Sequence, residues 1–274
     1  MLGKHTLAAV HRCERHFLAE EAEGFAWSPA TAQGVVAHKA VELRIQATRP
    51  VDPGEVVAMA LDRLRDDRRG PAQWLDVADE AERAELSAKA IDAVTKFDDT
   101  FPPIPTRWRP RVESRLRAHL ADDRVELSGK VDLALGRASG SQARVLIVDL
   151  KTGRPAASHA ADLRFYALLE TLRVGVPPFR LASLYLDSGH WRQEDVDEEL
   201  LWLTARRVGD ALGALAGLRL GGRLPTETPG PTCSWCPVRD ACEPGRAWAP
   251  PDDGERWPEV VTSGDDPSDP DGDD

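Results

Sequence analysis

The sequence predicts an α/β fold in which helices flank a small mixed β-sheet. Apolar residues recur with helical spacing in residues 4–48 and again in 198–218. Between Trp108 and Leu150 the pattern changes to the alternation of strands and ends in the apolar run Val145-Leu-Ile-Val148. The resulting order of helix, three strands, helix and strand is typical of an α/β arrangement around one sheet.

The N-terminal part is predicted to be helical. A helix from Gly34 to Gln46 places His38 and Glu42 one turn apart on one face. Residues 51–105 are predicted to be a helical insertion, with helices over 54–66 and 77–97 and a break at Pro102-Pro103.

Three consecutive strands are predicted after this insertion. Asp122-Asp123 and Ser139-Gly140-Ser141 are polar turns that can join them as a meander. A helix over 157–172, a fourth strand over 181–187 and an amphipathic helix over 198–218 follow.

Composition and charge favour a cytoplasmic protein without a membrane span. The 274 residues are 42% hydrophobic and 30% charged, which is ordinary for a globular chain. No apolar run approaches the roughly 20 residues of a transmembrane helix, and Met1 to His5 does not resemble a signal peptide.

The net charge of −11 is concentrated in the C-terminal tail. Residues 251–274 hold ten acidic residues and one basic residue, so they carry −9 and residues 1–250 carry −2. This tail has too few apolar side chains to offset its ordering entropy, and we predict that it is disordered. The nearly neutral body can still present a basic groove, for which the candidates are Arg107, Arg109, Arg111, Arg115 and Arg117.

Two carboxylates and a lysine form the candidate catalytic group. Asp149 and Lys151 end the apolar third strand and project from the same face, because side chains alternate along a strand. Such charges are costly at a buried strand unless they have a function. Asp132 lies on the preceding strand, which in a meander is about 4.8 Å away. We therefore predict that Asp132 and Asp149 share one divalent cation.

This arrangement suits phosphodiester hydrolysis. Mg²⁺ prefers carboxylate oxygens, polarises a phosphoryl oxygen and activates a bound water. Lys151 would orient that water or stabilise the charge that develops on the phosphate. His38 could complete the coordination, and an imidazole ligand favours tolerance of Mn²⁺.

Taken in order, these motifs resemble the PD-(D/E)XK nuclease superfamily, in its RecB-like branch with the AddB-type nucleases. The matching pieces are Gly34-x3-His38, Glu113, Gly129-Lys-Val-Asp132, Asp149-Leu-Lys151-Thr-Gly and Asp162-Leu-Arg-Phe-Tyr166. The resemblance implies a restriction-endonuclease-like core and a metal-dependent deoxyribonuclease, expected to be an exonuclease in DNA repair or recombination.

The resemblance also adds residues to the site. Tyr166 is implied to face the active site, whereas Asp162 stands where relatives usually have Gln, so its role is open. Glu113 and Glu42 are further candidates that could equally be solvated or ion-paired.

The four cysteines form one pattern, Cys13 followed far downstream by Cys233-Ser-Trp-Cys236-x5-Cys242. In a cytosolic chain this use of every cysteine favours a metal site over disulfides. The spacing alone fits Zn²⁺ and an iron–sulfur cluster equally well. The AddB-type resemblance implies a [4Fe–4S] cluster with a mainly structural role.

We accordingly expect residues 1–250 to form a single RecB-like nuclease domain with the insertion at 51–105 and cluster-binding ends at 1–20 and 230–245. The expected partner is DNA, as single strands or ends. The chain has no Gly-x4-Gly-Lys-Ser/Thr loop, so ATP-driven unwinding would need a helicase or repair partner. The alternative function is a catalytically silent DNA-binding or scaffold subunit of the same fold.

Overall fold

The structure is a computed structural model that describes residues 1–66 and 70–248. The helices are α1 (Lys4–Arg12), α2 (Glu14–Glu23), α3 (Pro29–Gln46), α4 (Pro53–Asp66), α5 (Ala72–Val77), α6 (Glu80–Thr100), α7 (Ala157–Val174), α8 (Glu198–Arg219) and α9 (Glu243–Trp248). The strands are β1 (Arg111–Leu120), β2 (Val125–Leu135), β3 (Leu146–Lys151), β4 (Arg180–Tyr185) and β5 (His190–Asp195).

These strands form one mixed sheet in the order β1-β2-β3-β4-β5. Only β3 and β4 are parallel, because α7 carries the chain back across the sheet between them. The predicted α/β class is therefore confirmed, as is the meander of the first three strands. Strand β5 was missed, since this edge strand is mostly exposed and its polar sequence lacks an apolar alternation.

Helices cover both faces of the sheet. One core joins α3, α4 and α6 to sheet residues that include Leu133, Val148 and Leu184. The other core joins α1, α7 and α8 to residues that include Val131, Ile147 and Leu181. The helices of the predicted insertion thus share a core with the sheet.

Local signals set the helix ends. Helix α3 begins five residues before the predicted start, because the Ser28 side chain accepts a hydrogen bond from the Thr31 N–H at 3.2 Å and Pro29 occupies the first turn. Asp197 caps α8 in the same way, accepting from the Leu200 N–H at 2.7 Å.

Strands β2 and β3 separate next to Asp132 and Asp149. They pair only from Leu133 with Val148 to Leu135 with Leu146. Beyond Leu133 the edge of β2 is open, and the N-terminal segment fills part of it. The Leu2 N–H donates to the Glu126 carbonyl at 2.7 Å, and Leu2 accepts from the Ser128 N–H at 3.0 Å. The chain start is thereby fixed beside the opening.

In the described part of the chain, no helix is both long and apolar enough to cross a bilayer. The acidic tail at 251–274 lies outside the described residues.

Candidate active site

Asp132 and Asp149 lie at the opening between β2 and β3, where both side chains are buried. Asp132 Oδ2 accepts a hydrogen bond from the Leu150 N–H at 2.8 Å, which bridges the gap between the diverging strands. Asp149 Oδ2 lies 2.7 Å from Lys151 Nζ, so the buried carboxylate and the ammonium form an ion pair.

Three side chains at this opening could together hold a metal ion. Ligand atoms of His38, Glu113 and Asp132 all lie within 4.8 Å of one another. His38 Nδ1 is 3.3 Å from Asp132 Oδ1. Asp149 is not among these three residues, and the sharing of one cation by Asp132 and Asp149 stays a prediction. An imidazole with two carboxylates suits Mn²⁺ or Mg²⁺.

The backbone of Glu113 is strained. Its φ of 50° is in the left-handed region, at the third residue of β1 and between the pairs Val112–Leu133 and Ser114–Val131 of the β1–β2 register. A non-glycine residue there costs roughly 1–2 kcal/mol. The carboxylate joins the group around Asp132 and also contacts the Lys130 ammonium.

A second group of charges lies beside Asp149. Lys151 Nζ is 3.6 Å from Asp162 Oδ2, and Lys4 Nζ is 3.3 Å from the same atom. Lys4 Nζ is also 3.9 Å from Asp149 Oδ1 and 5.1 Å from the centroid of the Tyr166 ring. Asp162 is therefore paired with two lysines.

The shifts in pKa follow from this crowding. Burial alone would raise the pKa of Asp132, but the neighbouring His38 lowers it below its usual value. Burial would lower the pKa of His38, and Asp132 raises it above the usual value. Burial and the Asp132 charge both raise the pKa of Asp149. Two carboxylates in one buried site resist full ionisation unless a cation is added.

Tyr166 is buried behind the carboxylates, and burial followed by the charge of Asp149 raises its pKa, so the phenol stays protonated. Its ring packs on Gly129, where a Cβ atom would lie only 2.6 Å from Tyr166 Cε1. At Gly34 a Cβ atom would lie 3.5 Å from Thr152 Oγ1, which is ordinary van der Waals contact. Gly129 is therefore the motif glycine that a close approach requires, here of α7 to β2.

The remaining candidates lie elsewhere. Glu42 contacts Lys39 and accepts from Gln46 Nε2 at 3.2 Å, and it is not part of the group around Asp132. Of the five arginines proposed for a groove, Arg107, Arg109 and Arg111 line a cleft at the other end of the sheet. Arg115 is exposed on β1, and Arg117 pairs with Glu126 at 3.6 Å.

Lys4 was not recognised as a site residue from the sequence. It belongs to no motif there, and only the bridge between Leu2 and β2 places it at the opening.

The four cysteines line one cavity between α1, α2 and the C-terminal segment, and none of these four described residues forms a disulfide. Cys13 Sγ accepts from the Thr228 N–H at 3.5 Å, and Cys233 Sγ accepts from the Gly230 N–H at 3.4 Å. Burial raises the pKa of the Cys236 thiol, and the other three thiols raise it further. Among the described residues, the sulfur atoms are not gathered within 4.8 Å of one another as the ligands around Asp132 are.

Comparison with known proteins agrees with this architecture. The sequence profile of the PD-(D/E)XK nuclease superfamily matches residues 5–243. No curated protein matches the chain. A crystal structure of a candidate exonuclease from Eubacterium rectale aligns over 86% of this chain and 85% of its own, with 10% identity and a TM-score of 0.52. At that identity the likeness shows the fold alone.

A second solved structure, that of SSO0001, covers 76% of this chain and 94% of its own at 14% identity, but its TM-score of 0.32 is too low to support an argument. The family match spans most of the chain and includes every residue placed at the opening between β2 and β3 except Lys4. The chain belongs to the PD-(D/E)XK nuclease superfamily.

Proposed function

We propose that this protein is a metal-dependent deoxyribonuclease that hydrolyses phosphodiester bonds at the opening between β2 and β3. The observation that carries the proposal is the group of His38, Glu113 and Asp132 ligand atoms within 4.8 Å, beside a buried Asp149 that contacts Lys151.

His38, Glu113, Asp132 and Asp149 would hold Mg²⁺ or Mn²⁺, which supplies a Lewis acid and an activated water for this chemistry. Lys151, held against Asp149, places a positive charge where charge develops on the phosphate. The Tyr166 phenol stays protonated at neutral pH, so it can donate a hydrogen bond and does not act as a base.

Lys4 adds a second cation to this site. Burial alone would lower its pKa, but Asp149, Asp162 and Asp132 raise it, so the ammonium stays charged. Lys4 and Lys151 both contact Asp162, which fixes the two ammonium groups side by side. We propose that Lys4 contacts the phosphate together with Lys151, while Asp162 positions both.

We further propose that the enzyme is an exonuclease of the RecB-like, AddB-type branch, and that it acts on DNA ends or single strands in repair or recombination. The supporting features are the order of the matching motifs and the single span from residue 5 to 243. Residues 1–250 would be one nuclease domain, and a separate helicase would supply any unwinding.

Linear and circular DNA of the same sequence distinguish cleavage from DNA ends from cleavage within a strand. With Mn²⁺, an exonuclease should degrade an end-labelled linear strand and leave a closed circle intact. Cleavage of the circle at the same rate would contradict the exonuclease proposal, and no hydrolysis of either substrate would favour the silent DNA-binding subunit.

We propose that the four cysteines hold a [4Fe–4S] cluster. Support comes from the shared cavity, from the two backbone N–H groups that donate to sulfur, and from Gly245, where a Cβ atom would lie 3.3 Å from Cys242 Sγ. Four thiolates could alternatively bind Zn²⁺.

Protein purified without oxygen should contain iron and sulfide in equal amounts, with a brown chromophore. Cys236→Ser should lose both, while Ser234→Ala, a change beside the same cysteines, should keep them. Stoichiometric zinc without iron would contradict the cluster.

A further inference from the structure

A concentration of arginines lies at the end of the sheet opposite Asp149 and Lys151. The loop before β1, the connection between β2 and β3, and the end of α7 meet there around two adjoining cavities of about 700 and 730 Å³. We call this region the arginine cleft, and its cationic residues are Arg107, Arg109, Arg111, Arg137, Arg144 and Arg173.

Most of this charge is not balanced locally. Arg111 and Arg173 both bind the buried Glu170, at 2.7 and 2.8 Å. Within the described residues, none of the other four arginines forms an ion pair with a carboxylate. By contrast, the neighbouring Arg180 binds Asp195 at 2.6 Å. Four unpaired guanidinium groups in one cleft repel one another, so the cleft favours a polyanionic ligand.

Aromatic side chains accompany these arginines. Trp108 and Phe179 line the same cavity, and the Phe179 side chain is 43% exposed. Aromatic faces interleaved with arginines are the combination with which proteins bind single-stranded nucleic acid, because the cations track phosphates and the rings stack on bases.

We infer that the arginine cleft is a second binding site for the phosphate backbone of a single DNA strand, separate from the catalytic carboxylates. This inference rests on the proposed nuclease function. It identifies where the protein binds the part of the strand that is distant from the hydrolysed bond. The five residue-to-residue steps from Arg144 to Asp149 span roughly 17 Å of extended chain, which equals about five stacked nucleotides at 3.4 Å each. A strand of that length can reach from the cleft to the site of hydrolysis.

The test is binding, measured apart from hydrolysis. Fluorescence anisotropy of a labelled oligothymidylate of about 15 nucleotides is followed in EDTA at several salt concentrations. The test variant is Arg107→Gln/Arg137→Gln/Arg144→Gln in the full chain. Arg49→Gln/Arg63→Gln/Arg206→Gln is the matched control, because it removes three exposed arginines outside the cleft.

The cleft variant should bind at least ten-fold more weakly, and the slope of log K against log salt should become shallower by about 2, since each lost phosphate contact contributes about 0.7. Phe179→Ala should weaken binding at least about five-fold, as loss of one stacked base does, without changing the slope. The control triple variant should bind as the wild type does.

Equal affinity and slope in the cleft variant and the control would overturn the inference. Unchanged DNA binding with lost binding of a polyglutamate peptide would also overturn it, and would assign the cleft to an acidic protein segment. Because binding is measured in EDTA, the nuclease proposal can fail in a cleavage assay without affecting this result.

Discussion

Glu113 combines a place in the candidate metal-binding group with a strained backbone. Its left-handed φ of 50° breaks the regular pairing of β1 with β2 and turns the carboxylate toward Asp132. Strain of this kind persists only where the surrounding structure enforces it, and it is common at functional sites.

Replacing Glu113 by glycine should therefore raise the stability of the protein while it weakens metal-dependent hydrolysis. Glu113→Gly removes the strain, whereas Glu113→Gln keeps it, so the glycine variant should be more stable by about 1 kcal/mol in urea unfolding. Both variants lose a ligand and should need more Mn²⁺ for hydrolysis. A glutamine variant at least as stable as the glycine variant would contradict the strain.

Lys4 and Asp162 should act as a coupled pair. Lys4→Met should lower kcat roughly 100- to 1000-fold, as loss of one charge stabiliser in an active site does, while the protein stays folded. Without Lys4, the Asp162 carboxylate pairs with Lys151 only and draws its charge away from the phosphate. The additional change Asp162→Asn removes that carboxylate and should therefore recover part of the loss. Strictly additive effects in this double-mutant cycle would contradict the coupling.

At the scale of elements, the packing of α7 on β2 depends on Gly129. A Cβ atom there would lie 2.6 Å from Tyr166 Cε1 and 3.1 Å from Leu169 Cδ1. Gly129→Ala should destabilise the protein by about 1–3 kcal/mol, the usual cost of overpacking. Gly213→Ala on α8 is the matched control, since nothing lies within 4 Å of its Cβ position, and it should be neutral or stabilising. Similar stability of the two variants would refute this account of the glycine.

Helix α2 is tied to the segment after α8 by Glu14. Arg223 donates to both Glu14 oxygens at 2.6 Å, and the Thr226 N–H donates at 2.7 Å. These hydrogen bonds lower the pKa of Glu14 from 4.5 to about 2, and those from Arg223 make the largest contribution.

When the pKa of a carboxyl group is lower in the folded than in the unfolded protein, the group stabilises the fold at pH values above its unfolded-state pKa. This stabilisation is lost as the pH falls through the folded-state pKa. Wild type should therefore exceed Glu14→Gln in stability by up to about 3 kcal/mol at pH 7, and the difference should shrink between pH 4.5 and 2. Glu23→Gln, on the exposed end of the same helix, should show no such difference. A pH-independent difference for Glu14→Gln would contradict the pKa shift.

The periodicity of the sequence predicted most elements, because buried strands and amphipathic helices need a regular apolar pattern. It did not predict β5, because an exposed edge strand needs no regular apolar pattern. It also missed the early start of α3, which depends on the Ser28 cap. The motifs named His38, Glu113 and Asp132, whose ligand atoms lie within 4.8 Å of one another, and their catalytic role stays a prediction. The role of Lys4 depends on a single bridge from Leu2 to Leu127, and such a long-range contact leaves no local signal.

At the scale of the whole molecule, helix α1 connects the two proposed centres. Lys4 is its first residue and contacts Asp149 and Asp162, while Cys13 directly follows its last residue and lines the cysteine cavity. The cavity also joins Cys13 to cysteines more than two hundred residues away, which closes a long loop around the sheet. A group bound there would stabilise the position of α1 and hence of Lys4.

The central claim is that the carboxylates between β2 and β3 hydrolyse DNA. The most direct measurement is to incubate protein purified without oxygen with end-labelled single- and double-stranded DNA in Mn²⁺, Mg²⁺ or EDTA. Asp149→Ala and Lys151→Ala are tested beside it, with Asp210→Ala on the exposed face of α8 as the control. We predict metal-dependent degradation by the wild type and the control, and none by the two site variants, all four being folded. Degradation that survives both site substitutions, or a folded wild type that degrades neither substrate with either metal, would contradict the account.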